Sequence, residues 1–396
     1  MLNPRLNRLP DNPFDRLRTL IDSIKPKDGL EPITLSIGEP RHAPPALIAD
    51  AFKKNAHLWG RYPPGDGTPE FRRAVTHWLR RRYRLDEADL DPDRHVLPAV
   101  GTREALYLIS ALVVPERKAG GRPHVVMPNP FYHVYGGAAA VSGADPVYLS
   151  ATPETRFLPD VTMLDSETLQ RTALYYFCSP ANPQGAVASL EELKVAVEVA
   201  REHDFVLVVD ECYAEIYDSD PPPGALEACR TLGSGFKNVL VFHSLSKRSS
   251  APGLRSGFVA GDEALIGSFR RLRNYVGPQM PMPAMAASAA LWDEESHVEE
   301  NRRQYREKFD IAEDLLSGRF EFYRPAGGVF AWLNVGDGEA AAAHLWREAA
   351  LRVLPGAFIG RSDVTRTNPG DSYIRVALVD NPETTREALR RLVETL

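Results

Sequence analysis

One stretch carries more potential chemistry than the rest of the chain: Val239-Leu-Val-Phe-His-Ser-Leu-Ser-Lys-Arg-Ser-Ser-Ala-Pro-Gly-Leu-Arg-Ser-Gly-Phe-Val-Ala-Gly261. Apolar Val239 to Phe242 reads as a buried strand and Gly257 to Gly261 as another. Between them lie Ser244, Ser246, Lys247, a Pro252-Gly253 turn and Arg255. A lysine directly after a buried strand is partly desolvated, which lowers its pKa and lets the neutral amine add to a carbonyl. Arg255 and Ser244, on either side of it, offer a guanidinium fork and a hydroxyl to a phosphate.

A ligand with both an aldehyde and a phosphate would use both features, and pyridoxal 5′-phosphate is such a ligand. Taken alone, the same loop reads equally well as a surface turn with ordinary Lys and Arg. Its companions shift the balance. Phe205 to Asp210 is a buried strand ending in a carboxylate, followed by Glu211, Cys212 and Tyr213; in a parallel sheet that end is where ligands bind. A helix cap or a metal ligand are the other uses of such an aspartate. No chelating partner is spaced for it, so no metal is expected. Leu174 to Cys178 is a strand leading into Ser179-Pro-Ala-Asn-Pro-Gln-Gly185, where the Asn182 amide can donate to a ring oxygen, although Asn-Pro alone reads as a turn.

The elements that must position these groups alternate strand, turn and helix from about residue 93. His95 to Val100 leads into a helix opening on Gly101-Thr102-Arg103, whose free N–H groups make an anion site. After the strand Val125 to Pro128 come Phe131, Tyr132 and His133. Upstream, Ile33 to Pro40 is a strand ending near Gly38, which would let a carboxylate approach the backbone. A Pro/Gly loop holds Tyr62 and Gly67 before a helix capped by Thr68, and Ser189-Leu-Glu-Glu192 is a capping box. Pro283 to Leu316 reads as one long helix. Arg375 interrupts the apolar strand Ser372 to Leu378, where a charge is costly unless paired; an internal Asp or Glu is the plain partner.

In order and separation these motifs resemble the class I/II aminotransferases, the fold-type I pyridoxal-phosphate enzymes, over about residues 30–380. The resemblance implies an α/β fold with a large domain (45–290) built on a mostly parallel, seven-stranded-type sheet covered by helices. A smaller α/β domain would be formed by both termini (1–44 and 291–396). It implies that Lys247 binds the cofactor and then acts as general base, with Asp210 on the ring nitrogen and Asn182 and Tyr213 on the ring oxygen. Gly101, Thr102, Arg103, Ser244, Ser246 and Arg255 would hold the phosphate end. Tyr132, with Phe131 second, would stack on the ring. Gly38, Asn182 and Arg375 would meet the substrate carboxylate. Tyr62 would cross a homodimer interface to the partner's cofactor phosphate.

The run from Ser244 to Gly261, with Ser-Ile-Gly-Glu-Pro upstream, is most similar to N-succinyl-LL-2,6-diaminopimelate aminotransferases of bacterial lysine biosynthesis, which use glutamate as donor in a ping-pong reaction. Gln184 stands where threonine is usual, Ser250 where asparagine is frequent and His133 where proline is common. A succinylated substrate needs a second cation, for which Arg41 and Arg248 compete with the plain reading of a solvated charge. An aspartate-, aromatic- or alanine-type aminotransferase, or a carbon–sulfur β-lyase, would share the site. A ligand-sensing regulator on this fold would need a DNA-binding segment, and only a short arm precedes the core.

Composition agrees with a small-molecule enzyme. At 396 residues two domains are expected, and a net charge of −6 with scattered arginines offers no field for nucleic acid. No apolar run approaches membrane-spanning length and the N-terminus has no signal-peptide pattern. Three cysteines without metal spacing fit free thiols in a reducing cytoplasm.

Overall fold

The computed structural model describes residues 2–233, 235–277, 279–362 and 367–396. A short strand, Ile33–Thr34 (β1), precedes the main sheet. The sheet itself comprises Val96–Ala99 (β2), His124–Asn129 (β3), Asp145–Ser150 (β4), Thr172–Cys178 (β5), Val206–Asp210 (β6), Val239–Ser244 (β7) and Gly257–Gly261 (β8). Their order across the sheet is β2-β8-β7-β6-β5-β3-β4. Only β8 runs against its neighbours, pairing antiparallel with both β2 and β7. The other six strands therefore end at one edge, and that edge carries the chemistry.

Side-chain alternation makes the sheet two-faced. On β5, Tyr175 and Phe177 enter one apolar layer while Leu174 and Tyr176 enter the opposite one; on β6, Leu207 and Val209 face away from Val208. Helices cover both faces, and several start where local sequence requires. Thr68 accepts from the Phe71 N–H at 3.3 Å, and Ser189 and Glu192 close their reciprocal cap.

A second, smaller α/β unit joins both ends of the chain. Phe330–Asn334 (β9), Leu351–Arg352 (β10), Leu354–Pro355 (β11) and Tyr373–Ala377 (β12) supply its strands. The order β11-β12-β9 is antiparallel, and β1 pairs parallel with β10. The Ala377 N–H donates to Leu35 O at 2.7 Å, which lays the segment after β1 along β12.

The single helix expected from Pro283 to Leu316 is two, Met282–Asp293 and Ser296–Leu316. The break is an acidic cap. Glu294 is extended, and its carboxylate accepts from the Ser296 and His297 N–H groups at 2.6 and 3.2 Å. A glutamate is a good helix former, so the sequence concealed a residue acting as a terminator. Among the described residues no helix is long and apolar enough to cross a membrane.

Candidate active site

The parallel strands deliver their last residues, and the turns after them, to one cavity of about 610 Å³. Lys247, Asp210, Asn182, Tyr213, Tyr132, Thr102, Arg103, Ser244, Ser246, Arg255, Gly38 and Arg375 all line it. These residues span more than 300 positions in sequence, from Gly38 to Arg375. Gly101 sits immediately behind the wall, and Tyr62 lies outside, 99% exposed.

Asp210, the last residue of β6, forms the floor. It accepts from the Cys212 N–H at 3.2 Å and from the Tyr135 hydroxyl at 2.7 Å. Burial pushes its carboxyl above the usual carboxylate range. A cationic heteroatom opposite would offset that penalty and hold the carboxylate ionised. Tyr135, stacked on Tyr176 with centroids 4.4 Å apart, was not foreseen. It lies one helical turn from Tyr132 in an aromatic-rich run, and nothing in its spacing marks it as the partner of a residue 75 positions away.

The opposite end is built of donors. Gly101 has φ of +72°, and a Cβ there would run into the Arg255 guanidinium. Glycine therefore lets Arg255 lie across the start of the 12-residue helix Thr102–Val113, which has no side-chain cap. Arg255 donates to Val100 O at 3.3 Å and to Pro252 O at 3.0 Å, which fixes its fork in place. The Ser244 hydroxyl donates to Ser246 at 2.9 Å. Uncapped N–H groups, a guanidinium and two hydroxyls make a cradle for a phosphate dianion.

Between the two ends stands Lys247, in the short helix Leu245–Arg248 after β7. Its amine contacts Gly38 O, and burial draws it down to about 8. A substantial neutral fraction near physiological pH is what a nucleophilic or basic amine requires. Gly38 is needed for close approach, though what approaches is the Phe330 ring, which a Cβ would strike.

Arg375, on β12, is 6% exposed. It donates to Asn182 Oδ1 at 3.2 Å and to Ser36 O at 2.6 Å, lies 4.3 Å over the Phe330 ring, and leaves its Nε without a partner. No carboxylate pairs with it among the described residues, so the plain partner expected from sequence is missing. Burial lowers its pKa to about 10.

The family model for class I and II aminotransferases matches residues 31–394. The chain belongs to the class I and II aminotransferases. This aminotransferase is 33% identical to the 4-dedimethylamino-4-oxo-anhydrotetracycline transaminase OxyQ of Streptomyces rimosus, covering 98% of this chain and 100% of that protein. It is 30% identical to the LL-diaminopimelate aminotransferase of Desulforudis audaxviator over 98% of this chain and 96% of that one. A crystal structure of an aminotransferase from Neisseria meningitidis superposes with a TM-score of 0.94 at 40% identity, covering 99% of each chain. Members of the family depend on pyridoxal 5′-phosphate, and the donor cradle, the buried acid and the lysine between them fit that cofactor.

Two residues weighed from sequence for a distal carboxylate take other places in the aminotransferase. Arg41 is engaged by Asp380, with N···O distances of 2.5 and 2.6 Å. Arg248 is neither a surface charge nor a cavity residue. It is 1% exposed, donates to Leu291 O and Glu295 at 2.7 and 2.9 Å, and stacks on Trp292. Arg103 lines the cavity and donates from Nε to the Tyr132 hydroxyl at 2.8 Å. Tyr132 faces the cavity beside Phe131, which is buried against Tyr148. Besides Tyr135, sequence reasoning passed over Phe14, which also lines the cavity. Phe14 belongs to the N-terminal helix Pro13–Ile21, and its apolar spacing reads only as packing.

Proposed function

We propose that this aminotransferase transfers the amino group of glutamate to an oxo acid of the diaminopimelate class, with N-succinyl-2-amino-6-oxopimelate as the specific acceptor. The relatives named LL-diaminopimelate aminotransferase support the carbon skeleton; the succinyl group rests on the likeness of the Ser244–Gly261 stretch. The observation that carries the reading is the buried, carboxylate-free guanidinium of Arg375 beside Asn182 in the cavity that holds Lys247. A guanidinium left this way is completed by a substrate carboxylate as a bidentate pair.

When bound, pyridoxal 5′-phosphate supplies the carbonyl that carries the amino group and the ring that withdraws electrons. The residues do the rest. Arg255, Ser244, Ser246, Gly101 and Thr102 would hold the phosphate, Arg103 and Tyr132 would border the ring, and Asp210 would hold the charge on the ring nitrogen. Asn182 gives its oxygen to Arg375, which leaves its amide free to donate; it and the Tyr213 hydroxyl would meet the ring oxygen. Lys247 would take and return the substrate Cα proton. Arg375 orients the α-carboxylate; Arg41 and Arg248, the two weighed for a distal one, are engaged elsewhere, which leaves Arg103 of the cavity lining for it. The same reading divides the chain into a large domain at 45–290 and a small one from the two ends, and pairs two copies so that exposed Tyr62 reaches the partner's cofactor phosphate.

Borohydride reduction of the loaded enzyme should place the cofactor on Lys247; a label on another residue refutes the assignment. A coupled assay with glutamate should show turnover of N-succinyl-2-amino-6-oxopimelate above oxaloacetate. The reverse order would make the enzyme aspartate-type, and turnover of LL-diaminopimelate with 2-oxoglutarate in preference to the succinylated compound would remove the succinyl group from the reading.

A further inference from the structure

Outside the cavity, Lys308 is the most deeply buried amine for which the chemistry above has no use. It is 0% exposed on the helix Ser296–Leu316 and forms no ion pair among the described residues. Its Nζ lies 2.7 Å from His42 Nε2 and 4.3 Å from the centre of the Tyr305 ring. The other His42 nitrogen, Nδ1, is 2.7 Å from Asn301 Oδ1. Asn301 in turn donates from Nδ2 to the main-chain carbonyls of Lys247 and Arg248, at 2.9 and 3.2 Å.

The proton count follows from these partners. Two carbonyls can accept only from the amide NH₂ of Asn301, so Oδ1 faces His42 and Nδ1 must carry a hydrogen. In the neutral ring, which burial favours, Nε2 is then the acceptor and Lys308 donates to it. The chain of donors therefore runs in one direction, from Lys308 through His42 to Asn301, where the amide hands it on to the carbonyl of Lys247. Asp380 and Glu307 face Lys308, Glu300 faces His42, and burial draws Lys308 down to about 7. The pair thus carries at most one positive charge comfortably, which agrees with the donor–acceptor order.

His42 is also four residues beyond Gly38, whose carbonyl meets the Lys247 amine. Its own carbonyl accepts from the Ser250 hydroxyl at 2.9 Å. The segment 38–42 is consequently tied to the lysine loop at both ends, once through the Lys247 side chain and once through the Ser250 hydroxyl. Arg41, paired with Asp380, ties the middle of the segment to the small unit.

We propose that Lys308 and His42 are positioning residues for Lys247: the relay Lys308–His42–Asn301 sets the lysine's main chain, and hence its amine, against the cavity wall at Gly38. The inference rests on Lys247 being the residue that carries the cofactor, which the borohydride label tests separately and without either relay residue being changed.

Lys308→Met keeps the apolar stem and removes the donor, and His42→Gln removes the ring. Each should lower kcat of the glutamate half-reaction by about tenfold, with the KM for glutamate changed less than about twofold, because a displaced base slows proton transfer without altering the carboxylate clamp. The pH midpoint of the loaded enzyme's visible absorbance, which reports on the lysine-bound cofactor, should move in both variants. The double variant should be no slower than the slower single one, since both act through one chain of bonds. Losses that multiply in the double variant, or an absorbance midpoint and kcat that stay at the wild-type values, would overturn the proposal. If Lys308→Met does not fold, His42→Gln and Asn301→Ala provide the same comparison, with the same two outcomes deciding it.

Discussion

Two arginines of this aminotransferase are equally hidden and differently served. Arg248 has a carboxylate, two main-chain carbonyls and the faces of Trp78 and Trp292 around its guanidinium. Arg375 has one amide oxygen, one carbonyl and an aromatic ring but no carboxylate among the described residues, and the Nε of both arginines is without a partner. Taking a guanidinium out of water is costly, and a fold keeps one only when something repays the loss. For Arg248 the repayment is internal and the residue is structural. For Arg375 it is incomplete, and the missing part has the shape of a carboxylate. Burial alone does not mark a functional charge; burial with an unfilled partner in a cavity does.

The comparison breaks most visibly at Arg375. Arg375→Met should reduce kcat/KM for glutamate by about a thousandfold, the worth of two charge-assisted hydrogen bonds at roughly 1.5–3 kcal/mol each. The melting temperature should hold or rise, since an uncompensated charge has gone. A loss of less than about tenfold would mean that another cation binds the carboxylate.

Arg248→Met should do the reverse. We expect unfolding free energy to fall by about 2–4 kcal/mol from lost hydrogen bonds and ring contacts, with kcat per folded molecule near wild type. Denaturant titration checks the first half and active-site counting the second. A stable but inactive Arg248→Met would erase the distinction drawn between the two residues.

A milder test leaves the chain intact. Excess 2-oxoglutarate should raise the melting temperature of the wild type by a few degrees through binding to the folded state alone, and should leave Arg375→Met unmoved. Equal shifts in both would place the oxo acid elsewhere.

The smallest effect concerns the amine between the two ends of the cavity. Burial holds Lys247 at about 8 in the fold, against about 10.4 in an unfolded chain. Between those values the unfolded chain binds more protons, so the lysine's contribution to stability rises with pH across that window and is least below it. Lys247→Met should flatten the rise in melting temperature of the cofactor-free protein between about pH 8 and 10. An unchanged slope would show that the amine is not the group being desolvated.

Much of this was legible before any coordinates. The strand assignments around Asp210, Asn182 and Lys247 rest on apolar runs of four or five residues ending in polar turns, and those runs do form β5, β6 and β7. Caps at Thr68 and Ser189 were readable because their bonds close within three residues. The helix break at Glu294 was not, because a glutamate acting as a cap looks like a glutamate inside a helix. Arg41 and Arg248 could not be told apart in the sequence, since Asp380 lies 339 positions from the first and the two tryptophans of the second come from separate helices.

Residue type and local spacing determined what each group could do: an amine after a buried strand, a carboxylate at a strand end, glycine before an uncapped helix. Those properties depend on covalent chemistry and on interactions that span a few residues. Tertiary structure alone decided which charges would meet. It brought Tyr135 to Asp210, left Arg375 without its acid, and ran Lys308 through His42 to the carbonyl of Lys247. Electrostatic partnership depends on distance in space and on what water has been excluded, and no local pattern in a chain encodes either.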